Sequence, residues 1–171
     1  MKKHHAASPG VWLVFPKKHT KLPTVSYAEA VEEALCFGWI DGLLNPIDDT
    51  HYKQLFTPRQ AKSRWAASNK QRVEKLIAQG LMTEAGMKLI EIAKQTGTWT
   101  ALDATEALEL PPELKKAFRA APGAKKAYDA LTPSRRKQCL YYLSDAKKPE
   151  TRARRVAQII HALVTGAPVR G

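Results

Sequence analysis

Cysteine, acidic residues and long apolar runs are all scarce in this sequence. Its two cysteines, Cys36 and Cys139, stand far apart in 171 residues, and neither belongs to a Cys-x-x-Cys motif. A disulfide framework is therefore excluded. The longest apolar candidates, residues 11–15 and 34–40, fall well short of the roughly 20 residues that a membrane-spanning helix needs. We therefore expect a cytoplasmic protein without membrane insertion.

The sequence also lacks the common catalytic motifs. It contains no glycine-rich phosphate loop and no Gly-x-Ser-x-Gly, and its five histidines never fall at metal-ligand spacing. The run at 48–51, Asp-Asp-Thr-His, comes nearest to a metal site, but its composition is that of a turn. Cys36 ends a predicted helix one turn after Glu32, where charge and helix dipole both disfavour a thiolate. We predict no catalytic residue, no metal site and no cofactor, and an enzyme is the less favoured class.

Positive charge is abundant but unevenly placed. The 28 lysines and arginines outnumber 16 acidic residues, which gives a formal net charge of +12. Residues 25–60 carry −4, whereas 61–80 carry +4 and 132–171 carry +7. The basic segments predict either an anionic partner or simply solvated helix faces.

Two periods of hydrophobicity divide the chain. Residues 11–15 predict a short buried strand. A capping box of Ser26 and Glu29 begins a predicted helix that ends at Gly38. Residues 39–44 and 51–57 predict a hairpin that the first strand could join. From Thr57 onward the period is helical, with predicted helix starts at residues 57–58, 68, 83, 111–112, 132–133 and 149 and breaks at 80, 122–123 and 166. The predicted fold class is α+β, a small antiparallel sheet with an early helix followed by a helical C-terminal half. We expect a single domain over 1–171, with 1–60 mainly sheet plus one helix and 61–171 mainly helical.

A dense polar and aromatic run follows the predicted hairpin. Arg59, Lys62 and Arg64 stand beside Trp65, and together they supply the charged forks and the stacking plane of an anion or nucleic-acid site. In the alternative interpretation Trp65 anchors the core, Arg59 pairs with Asp41, and the nearby Ser63 and Asn69 cap backbone groups.

A second basic cluster precedes and opens the last predicted helix. Its cations are Lys147, Lys148, Arg152, Arg154 and Arg155. Cations at a helix N-terminus oppose the helix dipole, which favours an anionic partner, although a solvated amphipathic helix also explains them.

Four strings carry a resemblance to a known family. These are YAEAVEEALCFGWIDG at 27–42, FTPR with KSxW and Asn69 at 56–69, GLM with Gly86 at 80–86, and AKKPETRARR at 146–155. Together they resemble the YdeI or OmpD-associated (OmdA) family of bacteriocin-protection proteins.

The resemblance implies a small cytosolic bacterial protein linked to bacteriocin tolerance, with no established reaction. It also implies an upstream helical segment with a Trp-x-x-Trp-Leu pattern that this sequence lacks, so we expect the first strand to lack a covering helix. If the family shares a ligand or partner surface, the matched polar and aromatic positions are Trp39, Asp41, Arg59, Ser63, Trp65 and Asn69.

Three functions stay open from the sequence. The first is a non-enzymatic interaction protein, a monomer or small homo-oligomer, with an unknown protein or anionic partner. The second is a nucleic-acid-binding module using segments 61–80 and 132–155, with contacts from Lys62, Arg64, Lys147, Lys148, Arg152 and Arg155. The third is a small-ligand binder or enzyme with a pocket around Trp39, Asp41, Arg59 and Trp65.

Overall fold

The structure of the protein is a computed structural model, and it describes residues 1–168. It divides into two compact units, an N-terminal unit of residues 1–101 and a C-terminal unit that begins at Leu102. The predicted fold class is confirmed, because an antiparallel sheet with an early helix precedes a helical C-terminal half. The expectation of a single domain over 1–171 stays a prediction.

The N-terminal unit combines a three-stranded sheet with three helices. Its elements are β1 (Val11–Pro16), a short 3-10 helix (Lys18–Thr20), α1 (Tyr27–Cys36), β2 (Trp39–Pro46), β3 (His51–Pro58), α2 (Ala67–Ala78) and α3 (Glu84–Gln95).

The strand order is β1-β3-β2, with both pairings antiparallel. The hairpin prediction is confirmed, and β1 joins the sheet on the far side of β3. The register of β2 shifts between Asp41 and Leu44, where the strand bulges. The sheet therefore has two edge strands, β1 and β2.

The prediction of a buried first strand is wrong. Only Phe15 is buried in β1, and Val14 is 56% exposed. The physical reason is its edge position, since β1 pairs with β3 alone and half of its side chains face away from the helices.

Helix α1 begins and ends where the sequence indicated. Ser26 Oγ accepts from the Glu29 amide at 3.2 Å, and the Glu29 carboxylate accepts from the Ser26 amide at 2.8 Å. The chain leaves the helix at Gly38 with φ of +73°, a left-handed conformation that favours glycine. Its inner face buries Val31 and Leu35, each contributing roughly 1.5–3 kcal/mol.

Helix α3 meets the end of α1 at a very close approach. A Cβ at Gly86 would lie 2.5 Å from the Cys36 carbonyl oxygen and 2.8 Å from that of Leu35. At the same place Thr83 donates its amide at 3.1 Å and its hydroxyl at 2.6 Å to the Cys36 carbonyl. Thr83 thus begins α3, as predicted, and fastens it to α1.

Two predicted helix starts are wrong. Residues 57–58 continue β3, because Pro58 pairs with Trp39 across the sheet. The next helix begins at Ala67 with Ala66 as its N-cap, so Ser68 lies inside the first turn and does not cap it.

All secondary-structure elements in the described part of the C-terminal unit are helices. Its elements are α4 (Asp103–Glu106), α5 (Pro112–Ala120), α6 (Pro122–Ala130), α7 (Pro133–Ser144) and α8 (Pro149–Thr165). Leu114, Leu143 and Ile159 lie at the centre of its core. The break predicted at residues 122–123 is confirmed, because α5 ends at Ala120 and Pro122 begins a separate helix, α6. Within residues 1–168, no helix combines the length and apolarity needed to cross a membrane.

Candidate functional site

The loop after β3 folds Arg59 onto Trp65. The Arg59 amide donates to the Gly38 carbonyl at 2.9 Å, which fixes the loop at the end of α1. The guanidinium carbon then lies 3.7 Å from the centre of the Trp65 ring, and Nη2 donates to the Arg64 carbonyl at 2.6 Å. Arg59 is only 6% exposed and Trp65 is buried. This stacked pair is part of the core of the N-terminal unit.

Burial lowers the pKa of Arg59 to about 10, against the opposing charge of Asp41. Its Nε has no hydrogen-bond partner among the described residues. Asp41 accepts instead from the Tyr27 hydroxyl at 2.6 Å. Burial, followed by this hydrogen bond, raises the pKa of Tyr27 to about 12. Asp41 therefore acts on Arg59 through its charge while its hydrogen bond goes to α1.

The other matched positions have different surroundings. Trp39 is buried and donates its indole N–H to the His5 carbonyl at 3.1 Å. Asn69 accepts from Arg72 at 3.0 Å, and the half-buried Ser63 donates its amide to the Gln60 carbonyl at 2.9 Å. The structure thus joins Arg59 with Trp65 and sets Asp41 near them, whereas Trp39 faces the cavity described next. A shared binding role for the six positions stays a prediction.

A well-formed cavity of the N-terminal unit lies between its first residues, β1 and α1. We call this cavity the N-terminal cleft; its volume is about 530 Å³. Its apolar walls include Leu13, Phe15, Val25, Ala30, Ala34 and Trp39. A concave, mostly apolar cavity of this size falls in the range of ligand-binding sites.

The lining of the N-terminal cleft includes exposed apolar side chains and two carboxylates. Val14 and Val25 are exposed, Val25 to 60%. Glu29 and Glu33 of α1 also line the cleft, and Glu29 is held there by its capping bond to Ser26. The cleft therefore suits an apolar group with a neutral or basic flank.

Sequence reasoning missed most of this cleft. The available signal was Val25, an apolar residue just before the capping box of α1, whose side chain is exposed and lines the cleft. A contiguous exposed apolar surface on a folded protein commonly marks an interaction site.

The C-terminal basic cluster is divided between structural and exposed cations. Arg152 donates to Glu113 and also, at 3.4 Å, to the carbonyl of Leu143. Arg155 donates to the Tyr142 carbonyl and lies 4.4 Å from the centre of that ring. Lys147 and Lys148 are exposed.

In the N-terminal unit, Lys62 is exposed, and Arg64 is half-buried with its carbonyl bonded to Arg59. Anion contact by any of these cations stays a prediction.

Neither thiol is set up as a nucleophile. Both cysteines are buried and free. Burial raises the pKa of Cys36, as do the charges of Glu33 and Glu32, and burial likewise raises that of Cys139.

Residues 48–51 form the expected turn, in which Asp48 accepts from the amides of Thr50 and His51 at 2.7 Å.

Comparison with known families assigns each unit separately. Residues 1–89 match a domain of unknown function (DUF8412), and residues 107–166 match the family described as Bacteriocin-protection, YdeI or OmpD-Associated (OmdA). The string at 146–155 lies in the OmdA match, and the strings at 27–42, 56–69 and 80–86 lie in the DUF8412 match. The chain belongs to the DUF8412 family, whose model matches more than half of its residues, and the OmdA match over residues 107–166 confirms the resemblance for the C-terminal part of the chain.

A curated relative agrees with this assignment. Over 59 residues the chain is 37% identical to "Uncharacterized protein YdeI" of Bacillus subtilis (strain 168), which covers 34% of this chain and 30% of that protein. The chain therefore spans under a third of the length of this relative. No solved structure matches the chain.

Proposed function

We propose that this protein is a non-enzymatic interaction protein of the bacteriocin-protection type, and that its N-terminal unit recognises an apolar segment of a partner polypeptide. The family description supports the link to bacteriocin tolerance. The observation that carries the mode of action is the N-terminal cleft, with its volume of about 530 Å³ and its apolar walls. The proposal sets this function in the bacterial cytoplasm, where two unpaired cysteines are expected.

The cleft favours binding over chemistry for a physical reason. Its lining combines aliphatic and aromatic side chains with two carboxylates, Glu29 and Glu33, which stand at the rim. Each Å² of apolar wall that a ligand covers contributes roughly 25 cal/mol of favourable free energy to binding. Val14 and Val25 line the cavity and are also exposed, so the cavity is open to solvent at these residues, which suits a segment of polypeptide better than a fully enclosed small molecule.

A matched pair of variants tests the proposal. Val25→Asp places a charge on the cleft rim, whereas Leu81→Asp places the same charge at a 55% exposed apolar side chain outside the cleft. Both side chains are exposed, so both variants should fold. In a bacterial strain lacking the protein, we expect wild type and Leu81→Asp to restore tolerance to a bacteriocin and Val25→Asp to fail. Equal tolerance from both variants would refute the role of the cleft.

A thermal-shift screen of metabolites identifies the occupant. A specific ligand at 100 times its dissociation constant adds about 2.7 kcal/mol to stability. If a small apolar molecule stabilises wild type but not Val25→Asp, the occupant is that molecule and not a polypeptide.

A further inference from the structure

The C-terminal unit carries two cavities that adjoin each other along α7 and α8. One has a volume of about 400 Å³ and the other about 450 Å³. Both are lined by Ala162, Ala167 and Pro168, so they form a continuous depression that we call the C-terminal groove.

One stripe of each helix supplies the polar side chains of the groove. Arg135 and Gln138 come from α7 on one side of the shared residues, and Arg154, Gln158 and His161 come from α8 on the other. Residues spaced by three or four positions share a helix face, and each stripe extends over about 10 Å or less. Each of the two cavities therefore has one arginine and one carboxamide among its lining residues.

Tyr142 adds an aromatic ring to the groove. Its hydroxyl donates to Gln158 at 2.7 Å, and the Arg155 guanidinium lies 4.4 Å from the ring centre. These two contacts hold the ring at the wall of the second cavity. An oriented aromatic ring beside cations is the pairing with which proteins bind unstacked bases.

The two groove arginines are not neutralised by the protein. Neither Arg135 nor Arg154 forms an ion pair within residues 1–168, and no acidic side chain lines either cavity. Three carboxylates of the unit are held elsewhere, namely Glu106 by Lys137, Glu113 by Arg152 and Asp129 by Lys125.

The charge of the whole unit has the same sign. Residues 102–168 hold 13 lysines and arginines against 7 acidic residues. The groove is therefore a concave surface with uncompensated positive charge, and its field attracts anions.

We propose that the C-terminal groove binds single-stranded nucleic acid, with Arg135 and Arg154 contacting phosphates and Tyr142 contacting a base. Cavities of this size accept individual splayed bases, whereas a duplex keeps its bases stacked inside and presents a broad phosphate surface. This inference concerns a different unit and a different ligand from the N-terminal cleft.

Fluorescence anisotropy of the full chain with a short labelled RNA or DNA strand tests the proposal between about 50 and 200 mM salt. Because each phosphate contact to a single strand contributes about 0.7 to the slope of log affinity against log salt, the double variant R135Q/R154Q should lower the slope by about 1.4. We expect its affinity at low salt to fall by about tenfold or more.

The matched control is K116Q/K126Q, which removes the same charge from two exposed lysines outside the groove. It should change affinity by less than about twofold. An equal loss in both double variants, or no binding at low salt, would overturn the proposal.

A further variant separates nucleic acid from other polyanions. Tyr142→Leu should weaken binding of the oligonucleotide while leaving its salt slope and the competition by inorganic polyphosphate unchanged. If Tyr142→Leu has no effect on the oligonucleotide, or if duplex binds as tightly as single strand, the assignment to single-stranded nucleic acid is wrong.

Discussion

Replacing Gly86 by alanine should destabilise the N-terminal unit, although alanine is the better helix former. The new Cβ would meet the carbonyl oxygens of Cys36 and Leu35 at 2.5 and 2.8 Å and the methyl group of Met82 at 2.7 Å. Two of these three atoms are backbone at the end of α1, so α3 must move. That movement also strains the two bonds that Thr83 makes to the Cys36 carbonyl.

The opposing contributions give the expected magnitude. Overpacking costs typically 1–3 kcal/mol, and a weakened hydrogen bond adds about 1 kcal/mol. The gain in helix propensity offsets about 1 kcal/mol. The net expectation is a loss of about 2 kcal/mol, which lowers the melting temperature by roughly 4–8 °C for a chain of this length.

Tryptophan fluorescence in a urea titration measures this loss of stability in the N-terminal unit. All four tryptophans, at 12, 39, 65 and 99, belong to the N-terminal unit. The control is Gly123→Ala in α6, where an added Cβ meets nothing within 4 Å. Helical circular dichroism should show the control unchanged or more stable by up to about 1 kcal/mol. A midpoint for Gly86→Ala equal to or above that of wild type would refute the close-contact argument.

Two further predictions concern titratable groups. Because the folded protein raises the pKa of Tyr27 from its ordinary value of 10.0 to about 12, its contribution to stability is complete below pH 10 and is lost as the pH rises towards 12. Tyr27→Phe should remove this loss of stability at high pH. It should also remove one late step from the tyrosinate absorbance titration, and an unchanged titration would contradict the Tyr27–Asp41 bond. Arg152→Gln should destabilise the C-terminal unit by about 1–2 kcal/mol at neutral pH, since Glu113 and the carbonyls of Leu143 and Ala146 lose a donor. The pKa of Glu113 is lowered in the folded protein, so the difference in stability between wild type and Arg152→Gln should shrink as the pH falls below the ordinary value of 4.5. Urea unfolding followed by circular dichroism can check this, and a pH-independent difference would contradict the ion pair.

Local signals in the sequence predicted the helix ends that local chemistry determines. Ser26 and Glu29 form their capping box, Thr132 caps α7, and Gly166 ends α8 in a left-handed conformation. In each case the bonding partners lie within a few residues, so tertiary structure had little influence on the outcome.

Predictions that depended on distant partners were less accurate. Residues 57–58 have the composition of a helix start, but pairing of Pro58 with Trp39 keeps them in the strand. The same limit affected the candidate site. A sequence cannot show that Trp65 is buried while Trp12 is 41% exposed, or that Arg152 meets Glu113 across 39 positions of chain.

The position of β3 at the centre of the sheet has a consequence for the order of folding. β1 is synthesised first and β2 second, yet neither pairs with the other. A nascent chain that ends before His51 therefore contains β1 and β2 without the strand that both pair with. The loop from β1 to β3 can close only after β3 has been synthesised. Emergence of residues 51–58 from the ribosome is thus the event that allows the sheet, and with it the floor of the N-terminal cleft, to assemble.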